Sequence, residues 1–158
     1  MTQVQGNKKI LMEMIWLLLT AVLIILIMLP IHGSIGDLFP FYRQNMILIF
    51  IAVTFSRYIF LLKYHWLSNA KWIKVIFIFL PIPIFFFIVG ALYDFQAFSD
   101  EKGLTSIMSV LPHEEQIGLS KYIRNEVILF WSAAFLANIY MPIRMILSLW
   151  REINKGTH

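Results

Sequence analysis

Three ionisable side chains, Glu13, Arg57 and Arg144, stand inside stretches that are otherwise apolar. A charge surrounded by hydrocarbon is costly unless it pairs, reaches an interface or serves a site. Each lies four to seven residues from a basic residue at the edge of its stretch: Glu13 follows Lys9, Arg57 precedes Lys63, and Arg144 precedes Arg151. At about 1.5 Å per helical residue, all three fall roughly 6–10 Å inside one face. One carboxylate at the depth of two guanidiniums predicts a Glu13–Arg57–Arg144 cluster with the carboxylate shared. Such a group could fix helix register or relay protons, and either arginine could instead snorkel to lipid headgroups. Two arginines against one glutamate also leave a positive excess. That excess suits an anionic partner, either a lipid headgroup or an acidic residue of another subunit.

The second set of informative residues is Pro81, Pro83, Asn138 and Pro142. A proline within a helix removes the hydrogen bond to the carbonyl four residues earlier. Pro142 therefore frees the carbonyl of Asn138, and Pro81 and Pro83 free those of Phe77 and Phe79. At membrane depth such carbonyls need protein or water as partners. They either mark packing kinks or, as in transporters, line an ion site. The neighbours of Pro81 are Phe, Ile and Leu, which offer nothing to a cation. Ala133, Ala137 and Tyr140 share a helical face with Arg144 by their spacing, and small residues on a face let helices approach closely. Arg144 is thus expected to point into the bundle.

Enzyme chemistry finds little support. There are no cysteines, so thiolate nucleophiles, thiolate metal sites and disulfides are excluded. His113-Glu114-Glu115-Gln116-Ile117 starts like a zinc-protease helix, but Ile117 stands where the second histidine is required. No nucleophile elbow, phosphate loop or dinucleotide fingerprint occurs. The four histidines, His32, His65, His113 and His158, lie in predicted loops or at ends, so no haem is expected between spans. A loose metal group could draw on His32, Asp37, Asp94, His113, Glu114, Glu115 and Glu126, but exposed acids in a polar segment are ordinarily just solvated. No catalytic residue, metal or cofactor is assigned.

The elements that must carry these residues are membrane spans. Of the 158 residues, 59% are hydrophobic and only 14% charged, against about a quarter charged in soluble domains. Four apolar runs, at about 10–29, 45–62, 73–93 and 126–149, are each close to the length that crosses a bilayer. The first is too long for a signal-peptide core, contains Glu13 and lacks a small-residue cleavage site, so it reads as a retained span. Pro30 to Arg43 reads as a loop, with its glycines and prolines. Residues 94–125 form the one sizeable polar segment. Short helices are expected there at 104–111 and 112–117, with Ser120 as N-cap of the last span.

Lys8, Lys9, Lys63, Lys71, Lys74, Arg151 and Lys155 fall on one side, and Arg43, Lys102, Lys121 and Arg124 on the other. The positive-inside rule then places both termini in the cytoplasm and the polar segment outside. Trp16, Trp66, Trp72 and Trp150 cluster toward the inner face as an interfacial belt. The net charge of +4 flanks apolar runs rather than interleaving with stacking aromatics. Anionic headgroups at the cytoplasmic face are thus expected as partners, and nucleic acid is not. The expectation is an all-α, polytopic four-transmembrane-helix bundle forming one membrane domain, of bacterial inner-membrane type. Its expected role is a non-catalytic accessory or assembly subunit that binds other membrane subunits or itself. A small channel or transporter protomer is the alternative.

Overall fold

A computed structural model describes residues 3–62, 67 and 71–154 of the chain; Lys63, His65, Trp66, Lys155 and His158 lie outside these. The described residues are helical throughout, without a strand: α1 (Gln3–Ile35), α2 (Tyr42–Leu61), α3 (Lys71–Phe79), α4 (Pro81–Glu101) and α5 (His113–Asn154). Single 3-10 turns lie at Gly36–Leu38 and Leu104–Met108. Four stretches are long and apolar enough to cross a membrane, α3 and α4 together forming one of them. This is a multi-pass transmembrane helix bundle.

Side-chain pairings give the directions. Asn45 meets Met28 and Arg57 meets Glu13, so α1 and α2 run antiparallel. Asn45 also meets Glu126 and Trp131, while Ile59 meets Arg144, so α2 and α5 run parallel. Lys74 meets Glu152 and Pro81 meets Asn138, so α3–α4 runs antiparallel to α5.

The central seam is α2 against α5. Leu48, Ile49, Ala52 and Phe55 of α2 and Val127, Trp131, Ala134, Met141 and Met145 of α5 are all buried there. On α5 the inward positions recur at spacings of three and four (127, 131, 134, 138, 141, 145), the pattern of a left-handed packing seam. The face expected from Ala133, Ala137, Tyr140 and Arg144 is therefore rotated. Ala134 and Ala137 are inside, Ala133 and Arg144 are half-buried, and Tyr140 is 57% exposed. Lipid is as apolar as leucine, so burial alone supplies no drive between helices; close packing and polar contacts must hold the seam.

Three boundaries differ from those read in the sequence. Pro30 does not begin a loop: α1 continues through it to Ile35. Ile24, Met28, Ile31 and Ile35 form one buried stripe across the proline, and that packing offsets the lost hydrogen bond. The chain turns instead at Gly36, whose φ of 54° suits glycine. The polar segment 94–125 is mostly the extension of two helices. The end of α4 is closed by the amides of Lys102 and Gly103, both on the carbonyl of Phe98, with Gly103 at φ 72°. Ser120 is no cap, because α5 already begins at His113. Its start is set by Pro112, by Glu114 and Glu115 in the first turn, and by the Gln116 side chain bonding the carbonyl of Leu111 at 2.8 Å. At 42 residues α5 is about 63 Å long, twice the hydrocarbon thickness.

Candidate functional site

The predicted charge cluster divides into a pair and a cap. Glu13 on α1 and Arg57 on α2 meet at 2.8 Å, with side chains 16% and 3% exposed. Tyr58 adds a longer hydroxyl contact to the same carboxylate oxygen at 3.4 Å. The guanidinium lies over the ring of Tyr58 at 4.7 Å and that of Trp16 at 5.9 Å, an arrangement that stabilises a desolvated cation. Its Nε and Nη1 have no hydrogen-bond acceptor among the described residues, where the rings and one carboxylate oxygen provide its compensation. Thr54, one turn deeper on α2, is buried with its hydroxyl unpartnered among the described residues, and Thr20 bonds back to the carbonyl of Trp16 at 2.8 Å.

Arg144 does not share Glu13. Its Nε donates to the carbonyl of Ile59 at 2.8 Å. The last four carbonyls of a helix lack intrahelical donors and carry the negative end of its dipole. Arg144 therefore satisfies the C-terminal end of α2 from α5. A further pair at this end, Lys74 with Glu152 at 2.8 Å, ties α3 to α5; the lysine side chain is 1% exposed. Sequence reading took Lys74 only as a marker of sidedness.

At mid-bundle the two proline-bearing helices meet. The helix is interrupted at Leu80, between α3 and α4, with Pro81 opening α4 and Pro83 in its first turn. The Asn138 side-chain amide donates to the carbonyl of Pro81 at 2.9 Å, while its Oδ1 is buried without a donor among the described residues. Pro142 lies inside α5 without ending it. The start of α4 is thus latched to α5 one turn before Pro142.

A third polar group, at the opposite end of the bundle from Glu13, joins α1, α2 and α5. The Trp131 indole donates to Asn45 Oδ1 at 2.8 Å, and the Asn45 amide donates to Glu126 Oε2 at 2.7 Å. The indole is a donor only, so it fixes which end of the Asn45 amide faces the carboxylate. Met28 Sδ lies 3.4 Å from the same amide nitrogen. Glu126 is 5% exposed, and its Oε1 has no hydrogen-bond partner among the described residues. Beside it a cleft of about 240 Å³ is lined by Ile27, Tyr122, Asn125, Glu126, Leu129 and Phe130. The Tyr122 hydroxyl donates across to the carbonyl of Ile27 at 2.7 Å.

Sequence reading missed this group because Asn45 and Glu126 each begin an apolar run and look like boundary residues. One signal was present: Trp131 is the one tryptophan outside the belt expected from the sequence at the inner face. The loose metal group fares differently, since among the described residues no three of His, Asp and Glu come together as ligands. No family model, curated protein or solved structure matches this chain.

Proposed function

We propose that this chain is a non-catalytic subunit of a larger membrane complex, acting in its assembly or holding its helices in register. Its termini lie in the cytoplasm of a bacterial cell, and its membrane is the inner one. The observation that carries this reading is the use made of the intramembrane polar groups. Glu13–Arg57, Arg144–Ile59, Lys74–Glu152, Asn138–Pro81 and Asn45–Glu126 each join two different helices of this chain. Polar contacts that cross between helices are how a bundle gains rigidity where lipid gives no hydrophobic drive. Such latching suits a scaffold. The most apolar windows of α1 and α3–α4 are only 22% and 17% buried, leaving wide surfaces for lipid and for neighbouring subunits.

Purification in mild detergent, followed by mass spectrometry of co-eluting proteins, tests the proposal. A reproducible membrane partner at fixed stoichiometry supports it. A homo-oligomer of fixed size with no partner counts against it and favours the second reading, a small transporter protomer. That reading rests on the meeting of two proline-bearing helices at Asn138, and it requires flux in liposomes that Asn138→Leu abolishes.

A further inference from the structure

We propose that Glu126 is a proton-binding site, a carboxyl held in its neutral form beneath the cleft between α1 and α5 and exchanging its proton through that cleft. Its two oxygens are unequal. Oε2 accepts from Asn45, whose orientation Trp131 fixes, so this bond is available in either protonation state. Oε1 is buried without a hydrogen-bond partner among the described residues. An isolated buried carboxylate costs far more than an isolated buried carboxylic acid, and a proton on Oε1 removes that cost.

Among the described residues, none facing the group supplies a compensating cation. From α1 the group faces Met28 and Ile27; His32, one turn beyond, is exposed and lies against the Tyr42 ring. From α2 it faces Asn45, while Arg43 is exposed. On α5 its neighbours are Tyr122, Asn125 and Trp131, and both Lys121 and Arg124 are exposed. From α4, Phe95 packs on Trp131, and the adjacent Asp94 is exposed. Glu13 is the contrasting case, its carboxylate oxygen 2.8 Å from the Arg57 guanidinium at the far end of the bundle. The same chain thus holds two intramembrane glutamates of opposite character. The site is independent of whether the chain has a partner.

A hydrophobic carbodiimide distinguishes them, because it reacts with a protonated carboxyl in an apolar setting. The carboxyl oxygen adds to the central carbon of N,N′-dicyclohexylcarbodiimide and the carboxyl proton passes to nitrogen. The O-acylisourea then rearranges to a stable N-acylurea, with no atom lost. Native membranes holding the full chain are treated with this reagent and the peptides analysed by mass spectrometry. One adduct is expected on the peptide containing Glu126, absent from E126Q and retained in E13Q. Its yield should fall about tenfold per pH unit above the titration midpoint. Infrared spectra of the wild type provide a second measurement: a protonated-carboxyl carbonyl band that disappears on raising the pH. Labelling of Glu13 in place of Glu126, a yield at Glu126 that does not change with pH, or absence of the infrared band overturns the proposal.

Discussion

Arg57 shows how a single residue's surroundings decide what its removal does. It is buried, bonded through one nitrogen to Glu13, and stacked on two rings. Breaking a buried ion pair from one side leaves an uncompensated charge and costs about 3–5 kcal/mol, whereas replacing both partners with apolar groups is often neutral. Glu13→Gln should therefore lower the thermal midpoint in detergent markedly, and Glu13→Met with Arg57→Met together should recover most of the loss. Equal midpoints for E13Q and wild type would show that the pair contributes nothing. This pair was legible because charges in an apolar run are conspicuous and their depth can be counted. Arg144 was legible as an inward-tending cation but not in its role. Its acceptor is a backbone carbonyl exposed by the end of α2, and side-chain types do not announce where a helix will end. Asn45 with Glu126 was hidden for a different reason, since each stands at the margin of a run where polar residues are unremarkable.

At the scale of elements, the spans were legible and their ends were not. Hydropathy finds a run of about twenty apolar residues with little ambiguity, but a helix is free to continue into water once its start is paid for by tertiary packing or a cap. α5 does so from His113, and α4 does so to Glu101. Pro30 misled because a proline breaks a helix only if nothing else holds it, and here the stripe from Ile24 to Ile35 holds it. The break at Pro81 is real and has a partner in Asn138. Asn138→Leu and Pro81→Ala should consequently be non-additive. Each should alter stability, and the double variant should differ from the sum by about 0.5–2 kcal/mol, the size of interhelical hydrogen bonds in membranes. Additivity within error in a detergent unfolding series would separate the two sites. Similarly, Arg144→Met removes the donor to Ile59 and should increase amide exchange selectively over the last turn of α2; uniform exchange across α2 would argue against a capping role.

The whole molecule has an inherent polarity that its charges alone do not prove. Glu13–Arg57, Arg144–Ile59 and Lys74–Glu152 lie toward one end, and Glu126–Asn45 toward the other. Lysine and arginine are concentrated at the first end, which the positive-inside rule assigns to the cytoplasm. The absence of native cysteine makes this directly measurable. Lys71, the first residue of α3, and Ser109, between α4 and α5, are both exposed, one at one end of the Lys71–Glu101 crossing and the other beyond its opposite end. Ser109→Cys should react with a membrane-impermeant maleimide in spheroplasts. Lys71→Cys should react only after permeabilisation. Reversal of that pattern would invert the bundle in the membrane and place the Glu126 cleft toward the cytoplasm, so its proton would exchange with the cell interior. Labelling of both positions from outside would mean that α3–α4 does not cross at all. With the pattern as predicted, Glu126 lies toward the outer face and the Glu13–Arg57 pair toward the inner, so protons from outside meet the Glu126 cleft and not the Glu13–Arg57 latch.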